Sequence, residues 1–123
     1  MLIRVLVVDS EKTVADVGAM LLGARGFLSR AAYNAEDAIS LAKDMQPHAV
    51  VSDVVLPGMD GVALAAWFAE NIPTCKVVLI SFNPAVRARV EEAKQNGLIH
   101  AFIAKREYLS ELVPFLSALK PIS

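Results

Sequence analysis

Two aspartates, a serine and a lysine are the residues of this chain whose types and placement could do chemistry together. Asp9 closes the apolar run Leu6-Val7-Val8, and Asp53 stands inside a second run, between Val50-Val51 and Val54-Val55. Ser81 follows the apolar stretch that ends at Ile80, and Lys105 follows Ala101 to Ala104. An unpaired carboxylate among apolar neighbours is costly, so Asp53 has no easy structural explanation. Carboxylate oxygens suit a hard, octahedral cation such as magnesium. Such an ion and an ammonium group together can neutralise a phosphoryl group in transfer. A hydroxyl can donate to one of its oxygens, and an aspartyl carboxylate can take it up as an acyl phosphate. In this chemistry Asp53 is the nucleophile, with Asp9, Ser10, Glu11, Ser81 and Lys105 around it.

These residues need a scaffold that brings four distant points to one edge. Leu2 to Val8 is short, rich in β-branched residues and apolar but for Arg4, as a strand covered on both faces should be. Thr13 to Arg25 carries Val14, Val17, Met20 and Leu21 at a helical period, and Gly26 closes it. Phe27 to Ala32 reads as a second strand. Asn34 is the expected N-cap of a helix whose stripe is Ala38, Leu41, Ala42 and Met45, with Asp37 favoured by the dipole in its first turn. His48 to Leu56 reads as a third strand, and Pro57, Gly58, Asp60 and Gly61 as a loop before a helix over 62–70. Lys76 to Ile80 is a fourth strand. Pro84 fits a first helical position, with Val86, Val90 and Ala93 inward as far as Gln95 and Gly97 at C′. Ala101 to Ala104 is a fifth strand, and a last helix is expected over 107–119. Pro114 inside it should force a kink or an offset.

Five βα units with short connections predict an α/β fold: a doubly wound, five-stranded parallel sheet with helices on both faces. Ligands bind such sheets outside the carboxyl ends of the strands, which is where Asp9, Asp53, Ser81 and Lys105 fall. The 123 residues fit one domain, 1–123. A formal net charge of −1 offers no surface for a polyanion, so no nucleic-acid contact is expected. Arg87, Arg89 and Lys94 are interleaved with Glu91 and Glu92 and read as a solvated helix face. The single cysteine, Cys75, excludes an internal disulfide and begins an apolar run, as a structural thiol would. No run approaches the roughly 18 to 20 apolar residues of a membrane span, so the expectation is a soluble cytoplasmic protein. Without a Gly-rich loop after the first strand, a nucleotide- or flavin-binding reading of the fold is weak.

The ordered set of motifs resembles the receiver domain of two-component response regulators (CheY-like, with a flavodoxin-like fold), over essentially the whole chain. Leu6-Val7-Val8-Asp9 resembles the acidic end of the first receiver strand. Asp53-Val54-Val55-Leu56-Pro57-Gly58-Met59-Asp60-Gly61 resembles the phosphorylation segment. Ser81 stands at the family's switch hydroxyl, Phe102 at its switch aromatic, and Lys105 at its lysine. The resemblance implies that Asp53 is the phosphoacceptor, and that Asp9, Asp53 and the backbone carbonyl of Val55 hold magnesium. It also implies that Ser81, Lys105 and Phe102 read the phosphoryl group. Implied partners are a histidine kinase or phosphotransfer protein, and a downstream protein or output domain. A homodimer through the fourth helix, fifth strand and last helix is a further possibility. The domain would be no enzyme beyond its own magnesium-dependent phosphorylation and dephosphorylation.

Bland readings stand beside these. Asp9 could cap a helix, Lys105 could be a surface lysine, and Ser81 counts only by position. Asp60-Gly61 fits turn chemistry, Trp67 fits packing, and His48 and His100 share no motif with other ligands. The chain also departs from the family. Ser10 stands where a second acid is usual, with Glu11 displaced by one, so the magnesium site should be weakened. Arg106 replaces the proline after the lysine, which puts a cis bond there in doubt, and the segment 97–102 is one residue longer than the common pattern. Two functions therefore remain: a phosphorylated receiver, and a degenerate receiver serving as a constitutive interaction module. The final Pro121, Ile122 and Ser123 do not say whether the chain is free-standing or cut from a longer protein.

Overall fold

The computed structural model describes residues 2–81 and 83–119. β1 (Arg4–Val8), β2 (Leu28–Ala32), β3 (Ala49–Asp53), β4 (Lys76–Ser81) and β5 (Ala101–Ala104) form one parallel sheet in the order β2-β1-β3-β4-β5. The connecting helices are α1 (Lys12–Ala24), α2 (Ala35–Met45), α3 (Gly61–Asn71) and α4 (Arg87–Gln95), the last entered through a 3-10 turn, Pro84–Val86. The chain closes on α5 (Val113–Ser117).

Side chains alternate along each strand, and that alternation builds two cores. Leu6, Val8, Val50, Val77 and Leu79 pack with α2, α3 and α4. Val5, Val7, Val51, Val78 and Ile80 pack with α1 and the C-terminal helical segment. A sheet buried on both faces is why the strands read as continuous apolar runs. Local chemistry sets the helix ends. Asn34 Oδ1 accepts from the Asp37 amide at 2.7 Å, and Asp60 Oδ1 from the Ala63 amide at 2.9 Å. Gly26 and Gly97 close α1 and α4 with φ of 94° and 75°, conformations that favour glycine.

Three expectations are corrected. The inward face of α1 is Ala15, Gly18 and Leu22, while Val17 and Met20 are exposed. Small residues there let α1 approach the sheet closely, and the larger apolar ones lie to the side. β3 ends at Asp53, not at Leu56, and Val55 is exposed. Its ladder stops because the chain turns to start α3, with the Gly61 amide donating to the Val54 carbonyl at 2.8 Å. The last helix is not continuous over 107–119. Lys105–Glu107 is a 3-10 turn, Tyr108–Leu112 is π-helical, and only Val113–Ser117 is α-helical. Pro114 thus sits in the first turn of α5, where its missing N–H costs little, and the widened turn before it is the expected offset.

The apolar side chains of this segment pack largely on one core. Leu112 and Leu116 are buried, with Tyr108, Val113, Phe115 and Leu119 against them. Trp67 packs edge-on to Phe68, as a core residue does. Cys75 is buried, and burial pushes its thiol up to about 12, out of reach of reactivity at neutral pH. Arg87, Arg89, Glu91, Glu92 and Lys94 are exposed along α4. Among the described residues no helix is long and apolar enough to cross a membrane. Pro121, Ile122 and Ser123 lie outside the described residues.

Candidate functional site

The register of the sheet places the site. Val8 pairs with Ser52, and Asp53 with Ile80, so Asp9 and Asp53 emerge side by side from β1 and β3. β1 lies between β2 and β3, so chain order reverses at this edge, the position at which open α/β sheets bind ligands. Asp9 and Asp53 continue the face that carries Val7 and Val51, and Lys105 follows Ile103 on the same parity. All three therefore project toward α1 and the C-terminal segment.

They meet. Lys105 Nζ donates to Asp9 Oδ2 at 2.7 Å and to Asp53 Oδ2 at 3.2 Å. The Lys105 side chain is 9% exposed, that of Asp9 1% and that of Asp53 16%. Lys105 is thus no surface lysine, and Asp53 is the more open of the two acids. Asp9 Oδ1 accepts from the Glu11 amide at 3.0 Å, so one oxygen orders the turn into α1 while the other holds the ammonium. Burial raises the Asp53 carboxyl above its ordinary range; Lys105 pulls it back without cancelling the shift. Burial works against the Lys105 charge, but the hydrogen bond to Asp9 and the charge of Asp53 outweigh it and raise the ammonium. At neutral pH the lysine is a fixed cation between two acids.

The other sequence candidates are placed as follows. Ser81 is buried at the end of β4, where its Oγ accepts from the Asn83 amide at 2.9 Å. Phe102 on β5 is partly buried against the α2–α3–α4 core. Ser10 and Glu11 are exposed, and among the described residues no third Asp, Glu, His or Cys joins Asp9 and Asp53 as a metal cluster. Asp60 caps α3 and pairs with Arg89 of α4, which is structural work. His48 and His100 each accept a backbone amide at Nδ1, from Arg4 at 2.8 Å and Val77 at 2.9 Å, at the opposite end of the sheet.

Sequence reasoning missed two residues that stand behind the site. A Cβ on Gly61 would overlap the Asp53 carbonyl oxygen and stand 3.0 Å from Val54 Cα, so only glycine lets α3 begin against the end of β3. The signal was there, in a glycine eight residues after the aspartate, but it read as loop chemistry. Tyr108 comes up beside Lys105 with its hydroxyl buried; burial first, then the Asp9 charge, pushes the phenol well up. Nothing in the spacing marked it, because it looked like one member of a helical stripe.

The comparisons with known proteins fit this geometry. The family model of the response regulator receiver domain matches residues 5–116. The chain is 31% identical over 117 residues to the probable transcriptional regulatory protein TcrX of Mycobacterium tuberculosis, covering 95% of this chain and 49% of that one. Among solved structures, NtrX from Brucella abortus superposes with a TM-score of 0.82 at 29% identity, covering 95% of this chain and 27% of NtrX. The response regulator TrrA from Thermotoga maritima, solved in complex with Mg(2+)-BeF, shares the fold, with a TM-score of 0.79 at 21% identity over 94% of this chain and 99% of that one. The chain spans about half of TcrX and about a quarter of NtrX.

Proposed function

Because this chain belongs to the response regulator receiver family, we propose that it takes a phosphoryl group onto Asp53 from the phosphohistidine of a histidine kinase or phosphotransfer protein. The observation that carries this reading is the Lys105 ammonium held between Asp9 and Asp53 at the carboxyl edge of the sheet. Asp53 is the more open of the two acids and so the one a donor can reach. In the transfer, a carboxylate oxygen of Asp53 bonds to phosphorus as the P–N bond of the donor breaks, and the departing imidazole keeps its electron pair and takes up a proton. Lys105 offsets charge on the phosphoryl oxygens without reorganising, because the protein already holds it in place. Asp9 keeps the ammonium charged and aimed.

The two carboxylates of Asp9 and Asp53 fit magnesium, which needs one or two carboxylates and keeps several waters. Asp9, Asp53 and the Val55 carbonyl would hold it, with water in place of an acid at Ser10. When bound, the ion would neutralise charge on the phosphoryl group. Glu11 points to solvent and brings no ligand in its present conformation. The expected site is weak in magnesium and slow in labelling. Ser81 and Phe102 then couple phosphorylation to the face of α4 and β5, where a downstream protein, an output domain or a second copy would read it.

The alternative is a degenerate receiver acting as a constitutive interaction module, and Ser10 is the residue that favours it. A magnesium titration of phosphoryl labelling, with parent and Ser10→Asp, separates the two. The phosphorylated reading expects both to label and the Asp variant to need less magnesium, by about tenfold or more, since ligand charge tunes such sites. Equal magnesium requirements would show that Ser10 is no handicap. No labelling of either protein at saturating magnesium would establish the degenerate module.

A further inference from the structure

The turn that delivers Lys105 is irregular. It passes from a 3-10 turn at Lys105–Glu107 directly into a π-helical turn at Tyr108–Leu112. Neither has the regular hydrogen-bond geometry of an α-helix, so side-chain packing adds to what holds the backbone in place. On one side of the turn that packing is thin. An open cleft of about 300 Å³ lies there, with Val14, Val17, Gly18 and Leu21 of α1 on one wall and Ile80, Lys105 and Tyr108 on the other.

At the edge of this cleft a wedge is fitted closely. Tyr108 packs in the core shared by β1, α1 and α5. Its hydroxyl lies against Gly18, on the buried face of α1. A Cβ at that glycine would stand 2.7 Å from Tyr108 Oη, 3.4 Å from Tyr108 Cζ and 3.3 Å from Val7 Cγ1. Gly18 lies inside a regular helix and has no positive φ, so its missing side chain provides room and not conformation. The hydroxyl itself has no hydrogen-bond partner among the described residues. Shape, not hydrogen bonding, therefore keeps the ring where it is.

We propose that Tyr108 is a positioning residue for Lys105, with Gly18 as its seat. The ring, wedged between α1 and β1, fixes the turn three residues after Lys105 and so sets where the ammonium stands between Asp9 and Asp53. Movement of α1 is thereby passed to the phosphoryl site from behind. The effect on transfer rests on the reading of Asp53 as acceptor; the effect on the ammonium does not.

Gly18→Ala, Tyr108→Phe and the double variant test it. Alanine overlaps the hydroxyl and drives the ring toward the cleft. Phenylalanine has no hydroxyl, so the alanine then meets only the ring carbon at 3.4 Å and Val7 Cγ1 at 3.3 Å, a side-chain methyl that need give by only a few tenths of an ångström. The Lys105 ammonium is followed by nitrogen-15 NMR in the unphosphorylated chain, and the labelling rate of the folded protein is measured with a small phosphodonor. Gly18→Ala is expected to move the Lys105 resonance and slow labelling by about tenfold, since displacement of a positioned group on this scale is costly. Tyr108→Phe should change neither, and the double variant should restore both. A merely structural contact would lower the melting temperature and leave the resonance and the rate of the folded chain alone. That result, or a double variant that restores nothing, overturns the proposal. Should Gly18→Ala fail to fold, Tyr108→Leu removes the wedge without overlap, and an unmoved Lys105 resonance in it overturns the proposal equally. A parent chain that does not label counts against Asp53 as acceptor, while the resonance still decides the role of Tyr108.

Discussion

At the scale of single residues, the chain keeps its polar chemistry at the two ends of an apolar sheet. At the carboxyl end, Lys105 resolves the cost of burying Asp9 and placing Asp53 beside it, since a buried charge is tolerable only when paired. At the other end His48 is 2% exposed, accepts the Arg4 amide at Nδ1 and leaves Nε2 without a partner among the described residues. Burial, with the Arg4 charge adding to it, holds this imidazole below its ordinary value. The unfolded chain takes up a proton near the ordinary 6.5, while the folded chain resists until lower pH. The stabilising contribution is therefore complete above about 6.5 and is lost as the pH falls through the folded value. Denaturant midpoints measured from neutral pH downward should fall in the parent and fall less steeply in His48→Asn. Parallel curves would show that His48 carries none of the acid sensitivity. The acidic constellation was legible in the sequence because strand ends could be located by apolar runs. The bond between His48 and the Arg4 backbone was not, because the partners are 44 residues apart and meet only through the β1–β3 pairing.

At the scale of elements, the site depends on how closely helices can start or pass beside the strands. Gly61 is the sharpest case. Its amide closes the turn onto Val54, and a methyl group there would collide with the backbone of Asp53, which cannot give way without moving the Asp53 carboxylate. Gly61→Ala should destabilise the fold by about 2–3 kcal/mol, at the upper end of single substitutions, and disturb the Asp53 amide resonance. A loss within about 0.5 kcal/mol, as for an ordinary surface change, would show that the loop relaxes freely. The sequence located the five strands, as short apolar runs, and the first four helices, by a period of 3.6 in apolar residues; the last helix it located only in part. It misread β3 beyond Asp53 because Val54, Val55 and Leu56 look like strand, although only Val54 and Leu56 are buried. It misread the face of α1 because Ala15 and Gly18 carry a weaker apolar signal than Val17 and Met20, yet they are the residues that allow close packing. The π-helical turn had only Pro114 as its sign, and a proline reports a break without reporting its shape.

At the scale of the whole molecule, the two cores hold a sheet whose strand order brings residues 44 positions apart, Asp9 and Asp53, to one edge, and the fifth strand adds a cation to them. The same sheet carries Ser81 at the end of β4 and Phe102 on β5, the latter packed against the core that holds α4. The fold and the membership of the receiver family stand on the strand order and on the match over residues 5–116. The chemistry is the central claim beyond them, and one measurement addresses it most directly. Intact mass is recorded after incubation with a small phosphodonor and magnesium, for the parent and for Asp53→Asn. The account predicts that the parent gains the mass of one phosphoryl group, and that Asp53→Asn gains none. An Asn variant that gains the phosphoryl mass as readily as the parent would contradict it.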